Sequence, residues 1–202
     1  MKKQIEIIIP NHWSEVSLKH YQNYVDEVSG VENEDEIVVK TISSLCGVSN
    51  ELVKRLKIND IKDIYHKLSE LITKPVNKNI FDKIKIKDIM YGFHPNLDEM
   101  SLGEFVDLEE NCKGGVGNLH NVLAILYRPI TEEKGKEYNI EPYSENHIKN
   151  APLFQDLSID VVNGVMLFFY TLGTKCLMNL SNYLEQNLPN KIQEVITDGS
   201  PS

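Results

Sequence analysis

The side chains most able to carry acid–base or metal chemistry in this chain are its six histidines: His12, His20, His66, His94, His120 and His147. No pair of them stands in a His-Glu-x-x-His or His-x-x-x-His arrangement, which would place two ligands on one helix face. A set drawn from His94, Glu110, Cys112 and His120 has residue types that bind zinc. Its spacing matches no known ligand pattern, so histidines on the surface or at helix ends are the favoured interpretation, and we expect no metal.

The glycine-rich run from Lys113 to Asn118 precedes a predicted helix, where backbone N–H groups can bind phosphate. A P-loop would end in Gly-Lys-Ser or Gly-Lys-Thr, and this run does not. A dinucleotide-binding loop would follow a strand, whereas the residues before Lys113 are predicted to be helical. A flexible turn is therefore favoured over a phosphate site, and no cofactor is expected.

Nucleophilic and carboxylate catalysis have equally weak support. The chain has no Gly-x-Ser-x-Gly sequence. Cys46 and Cys176 fall within apolar helical stripes, where a thiol behaves as a small core residue. Four carboxylates share one predicted helix and are read as a solvated face rather than an acid–base pair: Glu104, Asp107, Glu109 and Glu110. These observations predict a protein that is not an enzyme.

Bulk composition argues against several other functional classes of protein. The chain has 202 residues, 41% of them hydrophobic, and a formal net charge of -9. Such an acidic balance argues against binding of nucleic acid or anionic lipid, both of which need cationic surface. The three cysteines are far apart, which predicts free thiols rather than a disulfide framework. No uninterrupted apolar run reaches the roughly 20 residues that a bilayer crossing needs.

Hydrophobic periodicity and turn residues predict a mainly α (α+β) fold, a helical core with short N-terminal and central strands. Residues 4–9 are predicted to form a strand that Pro10 ends. Extended structure, such as a hairpin, is predicted again for residues 79–93, and the polar residues 131–150 are predicted to be a mobile loop. Helix starts are predicted at side chains that can cap a first turn: Ser17, Ser49, Asn59, Ser101, Asn118 and Ser158.

Other residues predict where helices end or how they are capped. Gly47 is expected to end the second helix, and Pro129 the helix that begins after Asn118. Ser101 and Glu104 form the pattern of a capping box. The most apolar helix is predicted from residue 159 to about Leu180.

The sequence is compatible with two domain organisations. One divides the chain into residues 1–75, residues 76–196 and a disordered tail over 197–202, and the other is one compact domain. Ser-Leu helix starts at Ser17 and Ser101, each after an extended segment, also suggest an internal duplication. The alternative is that capped amphipathic helices resemble one another.

Two blocks of sequence carry a family resemblance. The first block runs Ser-Leu-Gly-Glu-Phe-Val-Asp-Leu-Glu from Ser101, and the second runs Asn-Leu-His-Asn-Val-Leu-Ala-Ile-Leu-Tyr-Arg-Pro to Pro129. Together with residues 13–18, 21–22, 153–154 and 158–161, they resemble a group of small tailed-phage proteins regarded as tail-assembly or virion-morphogenesis proteins. The resemblance implies a non-enzymatic chaperone or minor structural component that binds phage structural proteins, such as the tail-tube or tape-measure protein. It implies a location in the host cytoplasm, with the virion as the alternative.

The residues expected to contact such a partner are mostly aromatic or charged: Trp13, Tyr21, Phe105, Glu109, Tyr127, Arg128 and Pro129. Tyr and Arg are enriched at binding hot spots. The structural alternative for residues 127–129 is a helix end at which Arg128 pairs with Glu109 or Glu110. A different function, a phage or bacterial regulator that binds and inhibits a host protein, is also compatible with the small size and acidic charge.

Overall fold

The computed structural model describes residues 6–144 and 146–168. Helices dominate this part of the chain and a small four-stranded antiparallel sheet accompanies them, which confirms the predicted mainly α (α+β) fold. The chain divides into two compact units, Met1–Val165 and Met166–Ser202. The boundary predicted between residues 75 and 76 falls within the first unit. The tail over residues 197–202 and the predicted helix beyond residue 168 lie outside the described residues.

Four helices follow a short 3-10 turn at Trp13–Glu15: α1 (Leu18–Val28), α2 (Glu34–Cys46), α3 (Asn50–Val53) and α4 (Ile58–Thr73). Ser17 caps α1 as predicted, since its side chain accepts a hydrogen bond from the His20 N–H. Gly47 ends α2 in the left-handed region with φ at 64°, which also confirms the prediction.

Two details of this N-terminal region differ from the predictions. The N-cap of α4 is Lys57 rather than Asn59, and no side chain caps it. Residues 6–9, the described part of the predicted strand over residues 4–9, are not in a strand. An isolated β-branched run lacks hydrogen-bonding partners, and the sheet of this protein is built entirely from segments between Lys83 and Ile140 in the described residues.

The sheet has the order β1 (Lys83–Ile86), β2 (Ile89–Phe93), β3 (Tyr127–Lys134) and β4 (Glu137–Ile140), and all neighbours are antiparallel. β1 and β2 form the hairpin predicted for residues 79–93. Ile84 pairs with Tyr91 and Gly92 pairs with Arg128, and all four residues are buried.

Two predictions for the residues after Leu126 are wrong. Helix α6 (Leu119–Leu126) ends before Pro129, because Tyr127, Arg128 and Pro129 pair with β2 as the first residues of β3. The residues predicted as a long mobile loop, 131–150, instead form most of the β3–β4 hairpin and the short helix α7 (Asn146–Lys149), followed by a 3-10 segment at Ala151–Asp156. Strand pairing supplies partners for a polar sequence that has no apolar periodicity of its own.

The core of the first unit surrounds α6, six of whose eight residues are buried. Helix α5 (Leu102–Lys113) precedes it, with a 3-10 turn at Gly115–Asn118 between the two. Residues 159–168 are helical, and this helix begins directly after Ser158 as predicted. Ser17 and Ser158 form a β-bridge that joins the start of α1 to the start of this helix. Among the described residues, we find no helix with both the length and the apolar content needed to span a bilayer.

Candidate functional site

Helix α5 presents three large apolar side chains to solvent on one face. Leu102 is 79% exposed, Phe105 52% and Val106 48%. Their spacing of three and four residues aligns them along one side of the helix. Only Glu104 and Leu108 of this twelve-residue helix are buried. An exposed apolar stripe of this kind is typical of a surface that binds another protein.

Acidic side chains lie at both ends of this stripe. Asp98 and Glu99 are exposed in the turn before the helix, and Glu109 and Glu110 are exposed one turn beyond Val106. Glu109 forms an ion pair of 3.3 Å with Lys113, the only basic residue of α5. We refer to the three apolar residues together with these four carboxylates as the α5 surface. Its chemistry suits a partner that presents apolar side chains bordered by positive charge.

The opposite side of α5 begins with the capping box predicted from Ser101 and Glu104. The Glu104 N–H donates to the Ser101 hydroxyl at 3.3 Å, and the Ser101 N–H donates to Glu104 Oε2 at 3.4 Å. The capping box fixes the carboxylate of Glu104 at the first turn of the helix. The second carboxylate oxygen remains available to groups on the sheet.

That second oxygen, Glu104 Oε1, lies in a buried cluster of charged and polar groups. It is 2.9 Å from Arg128 Nη2 and 3.3 Å from His94 Nε2, and all three residues are at most 7% exposed. Glu104 Oε1 makes no hydrogen bond with a described residue, so Arg128 is held chiefly by the attraction of opposite charges. Arg128 comes from β3 and His94 follows β2 directly. The cluster therefore ties α5 to two neighbouring strands.

Tyr143 adds a second connection between α5 and Arg128. The Arg128 guanidinium lies 5.9 Å from the centre of the Tyr143 ring, a cation–π arrangement. The Tyr143 hydroxyl donates to a carboxylate oxygen of Asp107 on α5. The Asn121 amide of α6 also donates to Asn111 of α5 at 2.9 Å, so the inward attachments through Glu104, Asp107 and Asn111 are all polar or charged. The apolar residues of α5 other than Leu108 face outward.

Burial controls the protonation of this cluster. It lowers the pKa of His94; the negative charge of Glu104 opposes that effect, while the positive charge of Arg128 adds to it. His94 is therefore neutral at pH 7. Burial also lowers the pKa of Arg128, opposed by Glu104 and Tyr143, but a guanidinium starts from so high a value that it stays charged. The cluster is one buried ion pair with a neutral imidazole against it.

The zinc set considered from the sequence is not assembled among the described residues, which contain no group of three or more His, Cys, Asp or Glu side chains placed to hold a metal ion. His94 faces Glu104, whereas His120 lies 3.1 Å from the side-chain amide of Gln22. Cys112 is exposed on α5. The glycine-rich run does form a turn, at Gly115–Asn118, and the carbonyls of Val116 and Gly117 in this turn accept hydrogen bonds from Gln22.

A surface cleft of about 390 Å³ lies between α1, α2 and α3. Its lining includes Lys19, His20, Glu27, Ser44 and Asn50. The Ser44 hydroxyl donates to the Glu27 carboxylate at 3.3 Å, so the hydroxyl is paired with an acid rather than with a histidine base. This pairing does not activate a nucleophile, and the cleft supports no particular reaction.

The structure separates the residues predicted to contact a partner. Trp13 and Tyr21 pack edge to face with ring centres 5.8 Å apart, and the Trp13 indole N–H donates to the Lys74 carbonyl. Tyr127 is buried, and its hydroxyl donates to the Phe81 carbonyl at 2.7 Å. Trp13 and Tyr127 therefore lie in the interior of the first unit.

The remaining predicted residues fall into two groups. Phe105 and Glu109 lie on the α5 surface, while Arg128 and Pro129 belong to β3, where Pro129 pairs with Tyr91. The suggestion that Arg128 pairs with Glu109 or Glu110 is wrong. Arg128 pairs with Glu104, because the first turn of α5, not its last, packs over β3.

Sequence reasoning missed Leu102 and Val106 as surface residues and His94 as a member of the buried cluster. A signal for the first two was present, since Leu102, Phe105 and Val106 recur at helical spacing directly after a capping box. The same spacing describes a core-facing stripe, so the pattern alone could not say which side faced solvent. No local signal links His94 to Glu104 and Arg128, which come from distant segments of the chain.

Comparison with protein-family models, with curated proteins and with solved structures finds no match to this chain.

Proposed function

We propose that this chain is a non-enzymatic phage protein that binds other proteins during tail or virion assembly, as a chaperone or minor structural component. The single observation that carries the binding role is the α5 surface, a solvent-facing apolar stripe on a helix held from behind by buried charges. The phage assignment rests on the resemblance of the segments from Ser101 and up to Pro129. Both segments contribute to this site, since they hold Glu104 and Arg128 respectively.

The architecture of α5 supports binding in two ways. Leu102, Phe105 and Val106 supply apolar area that is released from water when covered, at about 25 cal/mol per Å². The ion pair of Glu104 with Arg128 and the bond from Tyr143 to Asp107 hold the helix in place before a partner arrives. A surface that is already ordered loses less conformational entropy on binding.

A pull-down against phage tail-tube and tape-measure proteins tests the proposal. The informative variant is Phe105→Glu/Val106→Glu, which places two charges within the apolar stripe. The matched control is Ile8→Glu, because Ile8 is 80% exposed but lies outside α5. We expect the wild-type chain and the control to retain the assembly protein and the double variant to lose at least about tenfold in affinity, the loss expected when hot-spot side chains are removed.

Two results would overturn the proposal. In the first, the double variant retains the same assembly proteins as the wild-type chain. In the second, the wild-type chain retains none, and deletion of its gene leaves particle formation normal. If the second result is accompanied by specific capture of a host protein, the function is inhibition of that host protein instead.

A further inference from the structure

The N-terminal half of α5, residues 102–106, is held to the protein through one buried side chain. Glu104 is buried, whereas the other four residues of this half are exposed. A segment with few buried contacts opens locally at a low cost in free energy. The contacts of Glu104 therefore decide whether this half of the helix stays on the sheet.

The C-terminal half of α5 is held by contacts of a different kind. Besides the bond from Tyr143 to Asp107, Leu108 is buried and Asn111 accepts a hydrogen bond from Asn121. Neither Leu108 nor the pair of asparagines contains a group that gains or loses a proton. A proton bound in the buried cluster therefore acts on the first half of α5 and leaves these two attachments in place.

Within the buried cluster, a single carboxylate oxygen faces both basic groups. Glu104 Oε1 lies 2.9 Å from Arg128 Nη2 and 3.3 Å from His94 Nε2. Because His94 Nε2 faces the carboxylate, this nitrogen carries the hydrogen of the neutral imidazole, and Nδ1 takes up a second proton. His94 Nδ1 is buried and has no hydrogen-bond partner among the described residues. A proton at Nδ1 therefore creates both an unpaired buried donor and a second positive charge beside one carboxylate.

The charged groups that act on the imidazole come from three elements. Glu104 belongs to α5, Glu99 to the 3-10 turn Leu97–Glu99 before it, and Arg128 to β3. The two carboxylates favour protonation, whereas burial and the guanidinium oppose it. Burial is the largest of these effects, so the pKa of His94 lies below its ordinary value of 6.5. The closed cluster thus favours the neutral imidazole.

We propose that protonation of His94 releases the N-terminal half of α5 from the sheet, so that the helix frays from its first turn toward Leu108. Release admits water to the Glu104 carboxylate, the guanidinium of Arg128 and the charged imidazole. Hydration supplies the hydrogen-bond partner that Nδ1 lacks in the closed state, and it weakens the repulsion between the two cations.

The released segment contains the apolar stripe of Leu102, Phe105 and Val106. In its effect on partner binding, the inference rests on the proposed function, which assigns this stripe to the partner. A frayed segment must be ordered again before it binds, and this ordering reduces affinity. Acidification should therefore weaken the partner contact even though the exposed residues of the stripe do not titrate.

Hydrogen exchange followed by NMR tests the release in the wild-type chain. The Phe105 N–H donates to the Ser101 carbonyl at 3.0 Å, so its exchange reports on the opening of this half of the helix. The pKa of His94 should be near 6.5 in the open state and lower in the closed state. After correction for intrinsic exchange rates, the opening equilibrium of Phe105 should therefore rise by up to about tenfold between pH 7.5 and pH 5.5.

Two variants assign the effect to one histidine. His94→Gln removes the titrating group, so the opening equilibrium of Phe105 should no longer rise on acidification. His66→Gln is the matched control, because His66 is exposed on α4, and it should behave as the wild-type chain does. A titration of the wild-type chain needs no variant: the rise should level off at the pH at which the His94 imidazole titrates in the folded protein.

Four outcomes contradict the inference. They are an unchanged opening equilibrium of Phe105 in the wild-type chain, a rise that persists in His94→Gln, a rise that does not follow the titration of His94, and an equal rise at the amides of α6, which would indicate global unfolding. Partner binding at pH 7.5 is independent of all four, because α5 is closed at that pH. Conversely, a failed pull-down at pH 7.5 refutes the proposed function and leaves the release of α5 unaffected.

Discussion

Glu104 has two structural roles at the scale of a single residue. One carboxylate oxygen completes the capping box with Ser101, and the other is the nearest counter-charge to the buried Arg128. Taking a guanidinium out of water is costly unless a charged partner accompanies it. Glu104 therefore stabilises both the first turn of α5 and the position of Arg128 beneath it.

We predict that Glu104→Gln lowers the free energy of unfolding by about 3–5 kcal/mol, because Arg128 is left buried without a counter-charge. Urea denaturation measures the change. Glu109→Gln is the matched control in the same helix, where an exposed ion pair with Lys113 is lost, and it should change stability by less than about 0.5 kcal/mol. Equal effects for the two substitutions would contradict the buried pair.

The lowered pKa of His94 predicts a pH dependence of stability. In the unfolded chain the imidazole titrates near its ordinary value of 6.5, and in the folded chain it titrates lower. The unfolded state therefore binds more protons between those two values, and stability falls as pH decreases from 7 through 6.5 toward the folded pKa. Burial also lowers the pKa of His20 and His120, which adds to the effect.

Denaturation of the wild-type chain and of His94→Gln at pH 7 and pH 5.5 measures the contribution of His94. We expect a smaller loss of stability on acidification in the variant. His66→Gln serves as the control because His66 is exposed on α4. An unchanged loss in His94→Gln would show that His94 does not contribute.

At the scale of secondary-structure elements, the packing of the two hairpins depends on a glycine. A Cβ atom at Gly92 would lie 2.3 Å from Cε2 of the Tyr138 ring. The Tyr138 hydroxyl lies 3.0 Å from the Asp82 carbonyl oxygen and 2.8 Å from that of Phe93, and its one hydrogen is shared between them, so the ring cannot easily move aside. Gly92 therefore allows β4 to fold over β2.

We predict that Gly92→Ala destabilises the protein by about 1–3 kcal/mol, the usual effect of overpacking. Gly103→Ala is the matched control, since a Cβ atom there meets nothing within 4 Å and alanine favours the helix. Its melting temperature should equal or exceed that of the wild-type chain. A stable Gly92→Ala variant would mean that Tyr138 does not pack on the sheet as described.

At the scale of the whole molecule, hydrogen bonds connect segments that the sequence suggested were separate domains. The Gln22 side-chain amide on α1 donates to the carbonyls of Val116 and Gly117 at 2.7 and 2.9 Å. The Leu18 N–H at the start of α1 donates to the Leu157 carbonyl at 2.7 Å. Such cross-connections favour cooperative unfolding of the first unit.

We predict a single unfolding transition for this unit. Trp13, the one tryptophan of the chain, is buried in the N-terminal helices and reports on them by fluorescence. Hydrogen exchange of the β2 and β3 amides reports on the sheet. The two probes should give the same denaturation midpoint, whereas separate domains divided near residue 75 would give two.

The sequence by itself determined most local features of this protein. Ser17, Gly47 and the Ser101–Glu104 pair act through atoms within a few residues of one another, so their patterns predicted helix ends correctly. The β1–β2 hairpin was also predictable, because alternation and a short turn are local signals. Hydrophobic periodicity and turn residues were sufficient to indicate the fold class.

Only the tertiary structure decided the pairing of Arg128 and the direction in which α5 faces. Tyr127, Arg128 and Pro129 were predicted to end a helix, but hydrogen bonds to β2, more than thirty residues earlier, draw them into a strand. Leu102, Phe105 and Val106 have the spacing of a core stripe and yet face solvent, because Glu104 and Asp107 attach the other side of α5 to Arg128 and Tyr143. Hydrophobic periodicity indicates that a helix has an apolar face and a polar face, whereas contacts with residues distant in sequence decide which face is buried.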